Sequence, residues 1–349
     1  MGHVWFLLVA LMLTVYVVLD GFDLGAGIIH LFIAKTDEER RLVLRSIGPV
    51  WDGNEVWLLA TGGTLYFAFP PLYAASFSGF YLPLMIVLWL LILRGVSIEF
   101  RNHVEGNIWT GFWDAVFSLA SLLLAIFYGA ALGNVVRGVP LDAQGRFFEP
   151  LWTNFRIGPE NGILDWYTIL VGIFALLALT LHGALWVALK TENALNQRAR
   201  QTARTAWWGV AAFTIMVTVF TFRVQPQVSA SMAAHPWGYV LPAFALAGLF
   251  GIVWFQKQKN DARAFLCSCA YLVGMLASVA LGLHPYLLPA SQNPAYSLTV
   301  QNSQAQPYGL RIGFIWWIIG MALAISYSVY TYRSFAGKIR PQREREEGY

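Results

Sequence analysis

Nine stretches of the chain are apolar almost without interruption: 3–33, 54–73, 75–97, 112–136, 163–188, 205–225, 237–255, 264–284 and 312–333. Each provides about 20 residues or more, the length that an α-helix needs to cross a bilayer core. None alternates polar and apolar residues at a period of two, which excludes the short strands of a transmembrane barrel. The second and third stretches are divided by Pro70 and Pro71, whose rings and missing N–H groups oppose a continuous helix. The pattern predicts an all-α polytopic membrane protein with nine transmembrane helices. Leu19-Asp20-Gly21 is echoed by Leu181-His182-Gly183, and Trp51-Asp52-Gly53 by Trp207-Trp208-Gly209. Such echoes fit two four-helix bundles plus one peripheral helix. The expected division is a first half at 1–136, an outer loop at 137–162, a second half at 163–284, an outer loop at 285–311, and the ninth helix with its tail at 312–349.

Composition strengthens this picture. Of 349 residues, 57% are hydrophobic and only 12% charged, against about 25% charged in a soluble domain. The net charge of +4 first suggests an anionic partner such as nucleic acid. The placement of the basic residues says otherwise. Of the 23 Lys and Arg, 18 fall in alternate connections and the C-terminal tail, and 5 on the opposite side. That asymmetry puts the N-terminus outside and the C-terminus in the cytoplasm, and it accounts for the basicity without nucleic acid. The first stretch is too long, and its start too poor in basic residues, for a cleavable signal peptide. Cys267 and Cys269 are two apart in an apolar run, so on a helix they face different ways.

Charge inside the apolar stretches is the main chemical signal. Asp20 and Asp23 lie in the first, where each carboxylate costs about 2.5–3.5 kcal/mol at a helix centre. Intramembrane acids face a bundle interior and mark ion or proton paths, although a pair three residues apart on one helix face also suits structural hydrogen bonding. Both fall in the cytoplasmic half of their span. Asp52 and Glu55, in Trp51-Asp52-Gly53-Asn54-Glu55-Val56-Trp57, start the second span at the same surface. Asp52 reads either as a helix cap or as one of several carboxylates around a proton inlet. Arg94 and Glu99 end the third span, where they read as an ion pair or as groups reaching the headgroups. The alternative is that Arg94 serves one of the acids.

Six histidines are present, and only His30 and His182 lie well within helical runs. They do not form the facing pairs that would ligate haem in a bundle. No phosphate loop, nucleophile elbow or zinc-spaced cluster occurs, so no metal ligand set is expected in this chain. A proton-coupled transporter and a purely structural assembly subunit both remain compatible with the intramembrane acids.

Asp20-Gly21-Phe22-Asp23-Leu24-Gly25, followed by Gly48-Pro49-Val50-Trp51-Asp52-Gly53-Asn54-Glu55-Val56-Trp57-Leu58, resembles subunit II of the cytochrome bd-type quinol oxidases. Ala74-Ala75-Ser76-Phe77-Ser78-Gly79-Phe80-Tyr81, the run from Arg94 to Arg101, and Leu181-His182-Gly183-Ala184 extend the likeness. It is most specific over the first 105 residues. Val50 and Glu55 stand where some relatives have His and Gln. The resemblance implies a multi-pass subunit in the bacterial cytoplasmic (inner) membrane, paired with a haem-bearing subunit I that holds haem b and haem d. Quinol would be oxidised at the outer face and oxygen reduced to water with cytoplasmic protons, building proton motive force without pumping. This chain would ligate no haem. It would carry a structural quinone in some members, contact membrane lipid, and leave room for small single-helix subunits. Asp52 corresponds to the acid implicated in the proton route, with Asp23, Asp20 and Glu55 as relay or support. Trp51, Asn54, Trp57, Arg94 and Glu99 would form the supporting shell.

Overall fold

The computed structural model describes residues 1–101, 103–104, 106–158 and 162–339. Arg340, Arg343 and Arg345, which belong to the basic C-terminal tail, lie outside the described residues.

The chain is built from α1 (Gly2–Ile33), α2 (Asp37–Ile47), α3 (Trp51–Ala68), α4 (Pro70–Gly79), α5 (Tyr81–Phe100), α6 (Asn107–Arg137), α7 (Trp166–Lys190), α8 (Asn193–Val224), α9 (Pro226–Ala234), α10 (Val240–Lys257), α11 (Asp261–Leu283), α12 (Val300–Ser303) and α13 (Pro307–Ser334). Strands β1 (Tyr286–Leu288) and β2 (Leu298–Thr299) pair antiparallel between α11 and α12. The long stretch 285–311 is therefore partly structured, a small exception to the all-α expectation.

Eight helices among the described residues are long and apolar enough to cross a membrane. The exception among the nine expected spans is the second. Its helix, α3, has 18 residues and places Asp52, Asn54 and Glu55 in its first two turns. Two breaks shape this region rather than one. Phe69 leaves helical geometry just before Pro70, and Phe80 separates α4 from α5. The expected spans 54–73 and 75–97 are thus corrected to α3 and α5, with the ten-residue α4 between them. The first break has its cause in proline. The second lies at the Gly79-Phe80 joint, four residues before Pro83, whose missing N–H and ring oppose a helical bond back to Gly79.

α1 is the central element and packs on α3, α6, α7 and α11, while α7 also meets α6 and α8, and α10 meets α11. Its contact with α7 depends on Gly25 and Gly183. A side-chain carbon on Gly183 would collide with the backbone of Gly25 and Ala26, and one on Gly25 would lie 2.7 Å from the Gly183 Cα. Small residues at such a crossing let two backbones approach closely in lipid. α13 sits at the periphery, with Leu310 its one fully buried residue. The Trp5 indole donates to the Leu310 carbonyl at 3.2 Å and ties its start to α1.

The C-terminal ends of α1, α5 and α7 and the N-terminal ends of α3, α6, α8 and α11 share one end of the molecule, beside α2. The opposite end carries the β pair and the connection between α6 and α7. α2 is polar and closed by a capping box in which the Thr36 hydroxyl accepts from the Glu39 amide at 3.2 Å.

Candidate functional site

At the α2 end, three helices converge on Asp20. The Arg94 guanidinium of α5 donates to both Asp20 oxygens, at 2.9 and 2.7 Å, and both side chains are fully buried. The same guanidinium donates to Glu55 Oε2 at 3.1 Å. Glu55 is only partly covered, with 23% of its side chain exposed, so the buried pair connects to the surface through it. Bidentate pairing of this kind is the strong form of an ionic hydrogen bond.

Asp23 lies one turn further along α1. Its Oδ2 accepts from the Asn54 amide at 2.8 Å, while its buried Oδ1 has no protein partner. Asn54 is held in turn by the Tyr332 hydroxyl, which donates to its Oδ1 at 2.8 Å. α13 thus reaches the site although it is peripheral. One turn before Asp20, the Tyr16 hydroxyl donates to that of Tyr128 at 2.9 Å.

The other expected residues are placed as follows. Asp52 is exposed at the second position of α3. Val50 occupies the cap position without a side-chain bond, so Asp52 is not the helix cap. The Trp51 ring packs over Gly95 of α5. Trp57 is half-buried, and its carbonyl accepts from Thr61 at 2.7 Å. Glu99 is exposed and apart from the cluster. The expected Arg94–Glu99 pair does not form, because five residues turn a helix through about 140° and point the two side chains apart. Arg94 turns inward to Asp20 instead of outward to the headgroups.

The structure adds a second polar cluster at this end that sequence reading missed. Asp114 at the start of α6 accepts from Arg101 Nε at 2.5 Å and Arg40 at 3.2 Å, and it meets His30 Nε2 at 2.7 Å. Arg101 also donates to Asp37 of α2 at 2.6 Å. The signal was available: Asp114 is an acid inside an apolar stretch, as Asp20 and Asp23 are.

A third cluster lies at the opposite end and was also missed. Arg137 closes α6 and is 4% exposed. Its five N–H groups go to Gly138 O, Gly162 O, Asp165, Asn134 Oδ1 and Glu149 Oε1. Asp165 caps α7, accepting from the amides of Tyr167 and Thr168 at 2.7 and 3.0 Å.

Of the two histidines well within helices, His182 has no free ring nitrogen and His30 has one. His182 Nδ1 meets Ser268 Oγ at 2.7 Å and its Nε2 meets Val18 O at 2.9 Å, so both ring nitrogens are engaged. His30 uses Nε2 on Asp114. Among the described residues, no group of three or more His, Cys, Asp or Glu is placed to hold a metal ion. A partly open apolar cavity of about 140 Å³ lies between α1, α6, α7, α8 and α11. Tyr16, Tyr128, Tyr167, Tyr271 and Thr221 supply its hydroxyls, on walls otherwise made by residues such as Leu179.

Comparison with known proteins connects this geometry to a family. The sequence model described as cytochrome bd terminal oxidase subunit II matches residues 1–335. The chain is 30% identical to cytochrome bd ubiquinol oxidase subunit 2 of Bacillus subtilis, over 96% of each protein. It is 26% identical to cytochrome bd-I ubiquinol oxidase subunit 2 of Escherichia coli K12, over 96% of this chain and 94% of that one. Its fold matches a chain in the structure of bd oxidase from Geobacillus thermodenitrificans with a TM-score of 0.75, at 19% identity, covering 96% and 98% of the two chains. The chain therefore belongs to the subunit II family of the cytochrome bd terminal oxidases.

Proposed function

We propose that the chain is the haem-free subunit of a bd-type quinol:oxygen oxidoreductase, in which it stabilises a haem-bearing subunit I and brings cytoplasmic protons toward the site of oxygen reduction. The observation that carries this reading is the linked series at the α2 end. Asp52 stands exposed, Glu55 is half-buried one turn later, and Arg94–Asp20 lies fully buried behind it. Asp23 continues the series along α1, with one oxygen free to take a proton. Buried acids joined to a half-exposed one are the groups expected where protons enter a membrane protein.

In this reading the N-terminus is outside and the C-terminus cytoplasmic. α3 is counted as a ninth, partly polar span, and the α2 end is the proton uptake face in the bacterial inner membrane. The helices divide into two four-helix halves with α13 outside them. Haem b and haem d reside in subunit I and supply the redox chemistry there, which fits the engagement of both ring nitrogens of His182 in this chain. Electrons and protons reach oxygen from opposite faces, so the reaction is electrogenic without pumping. The apolar cavity suits a structural quinone, whose ring oxygens would meet tyrosine hydroxyls and whose chain would meet the aliphatic wall. The broad apolar outer surfaces contact lipid and accommodate small single-helix subunits.

Family membership favours this reading over a proton-coupled transporter. The test is Asp52→Asn in the intact oxidase purified from native membranes. The expected result is slower oxygen consumption with normal haem bands in the reduced-minus-oxidised spectrum and normal recovery of the large partner. Unchanged turnover would leave Asp52 as a mere surface charge at a helix start.

A further inference from the structure

The cluster around Arg137 contains one more carboxyl than its single cation can neutralise. Asp165 accepts from that cation and also from two amides at the start of α7, so both its oxygens are used. Glu149 is the second acid. It is 1% exposed, receives one bond from Arg137 at 2.8 Å, and leaves Oε2 buried without a partner. A buried ionised carboxylate with an unmet oxygen is costly. Protonation removes the buried charge and leaves only an unpartnered O–H, a much smaller penalty.

Glu149 belongs to a strap, residues 139–151, that crosses this end of the molecule. The strap is tied at its start by the Val139 amide, which donates to Pro289 O at 3.0 Å. At its far end Pro150 and Leu151 accept from the amides of Ile163 and Leu164 at 2.9 and 3.0 Å. Between these ties, the Phe147 ring covers Gly79 and meets Phe80 edge-on at 4.9 Å. These are the residues of the joint between α4 and α5. Glu149 is thus the polar fastening of a segment that seals the break in that helix pair.

We propose that the strap is a proton-operated fastener: it is closed over the α4–α5 joint while Glu149 is protonated, and loosens when Glu149 gives up its proton to water. On the topology proposed above this happens at the outer face, so acidification outside would tighten the strap and alkaline conditions would relax it.

Charge and burial support the direction. Burial pushes the Glu149 carboxyl up, Arg137 pulls it down and Asp165 pushes it up again, leaving it at about 7 against an ordinary 4.5. The other charged groups of the strap, Asp142 and Arg146, pair with each other at the surface. α4 and the α4–α5 joint meet the strap through Gly79 and Phe80, which do not titrate. A raised carboxyl contributes stability that is complete below its ordinary value and is lost as pH rises through the folded value. Between pH 6 and pH 8 the opening constant of the strap should therefore rise about tenfold.

The experiment is amide hydrogen exchange of the detergent-solubilised oxidase complex from pH 6 to pH 8, corrected for intrinsic base catalysis. Both faces meet the buffer there, so the result does not depend on orientation or on the proton-uptake reading. The expected result is about tenfold faster exchange in 139–151 at the upper pH, with α6 and α7 unchanged. Glu149→Gln should make the profile flat. Glu149→Met repeats the test if the glutamine form fails to assemble. A flat wild-type profile overturns the proposal without any variant. So does a rise of equal size in either variant, which would assign the transition to another group.

Discussion

Arg94 and Arg137 are both buried guanidiniums standing between two carboxyls, and they differ in how completely they are used. All five donors of Arg137 are bonded, two of them to backbone carbonyls. Arg94 makes three bonds, all to side-chain acids, and its buried Nε has no partner. A saturated cation fixes several chain segments at once and can change nothing without breaking them. An unsaturated one, joined to a half-exposed glutamate, can exchange partners as protons come and go. The comparison teaches that burial alone does not mark a working charge; unspent hydrogen-bonding capacity next to an exposed acid does.

The largest effect should come from removing either cation. Arg137→Gln and Arg94→Gln each leave buried carboxyls unpaired, a change that costs about 3–5 kcal/mol. Little assembled oxidase should be recovered from membranes carrying either variant. The lysine forms sharpen the contrast. A lysine has three donors and no planar fork, so Arg137→Lys should lower the thermal midpoint of the complex more than Arg94→Lys does. The opposite order would show that Arg94 is the structural staple and would undo the distinction.

Next in size is turnover. Glu55→Gln and Asp23→Asn keep nearly the same shape and remove a titratable oxygen. Each should slow oxygen consumption roughly tenfold, about 1.4 kcal/mol in the barrier, at normal haem content. Asp165→Asn removes an equally buried acid at the other end of the molecule. It should lower stability while leaving turnover per assembled complex close to the parent value. Equal turnover losses at both ends would mean that acid loss acts only through the fold.

Much of the inner site was legible because its signals are local. Asp20 and Asp23 are three apart, so they share a face, and they sit where apolar residues are expected. Asn54, Glu55 and Asp52 follow at the start of the next polar-edged helix. The pairing was less legible. Asp20 and Arg94 are 74 residues apart, and no local rule prefers that bond over Arg94 with Glu99. Only the convergence of α1, α3 and α5 decides it. The break before Pro70 was readable from proline chemistry, and so was the one at Phe80, because Pro83 cannot bond back to Gly79; the packing of Phe147 against that joint was not. Arg137 and Glu149 were hidden in a long connection read only as an outer loop, and Asp165 was passed over at the edge of the fifth apolar stretch. The spacing from Asp165 to Thr168 does carry a capping pattern, and Thr168 Oγ1 accepts from the Asp165 amide at 2.9 Å.

A smaller effect should follow from Tyr332→Phe, which removes the donor to Asn54 Oδ1. A single hydrogen bond of this kind contributes about 1 kcal/mol. Turnover should change less than for Asp23→Asn, and the ratio of the two measures how far Asn54 is positioned by α13. If Tyr332→Phe is as damaging as Asp23→Asn, the hydroxyl itself belongs to the proton series and the site extends to the peripheral helix.

The smallest effect is expected at Glu39, and its sign is opposite to that of Glu149. Burial tends to raise this carboxyl, but the Lys35 amide, which donates at 2.7 Å, and the Arg198 guanidinium outweigh it and hold Glu39 below its ordinary range. A lowered carboxyl contributes stability above its ordinary value of 4.5, and that contribution is lost as pH falls through the folded value. α2 should therefore exchange its first-turn amides a few-fold faster as pH falls below 4.5, after intrinsic correction, where the strap over α4–α5 stays closed. Glu39→Gln should remove that acid sensitivity and leave the strap's response intact. The two ends of the molecule then loosen at opposite ends of the pH scale for one reason: Glu39 has a cation of its own, and Glu149 shares one that is already taken.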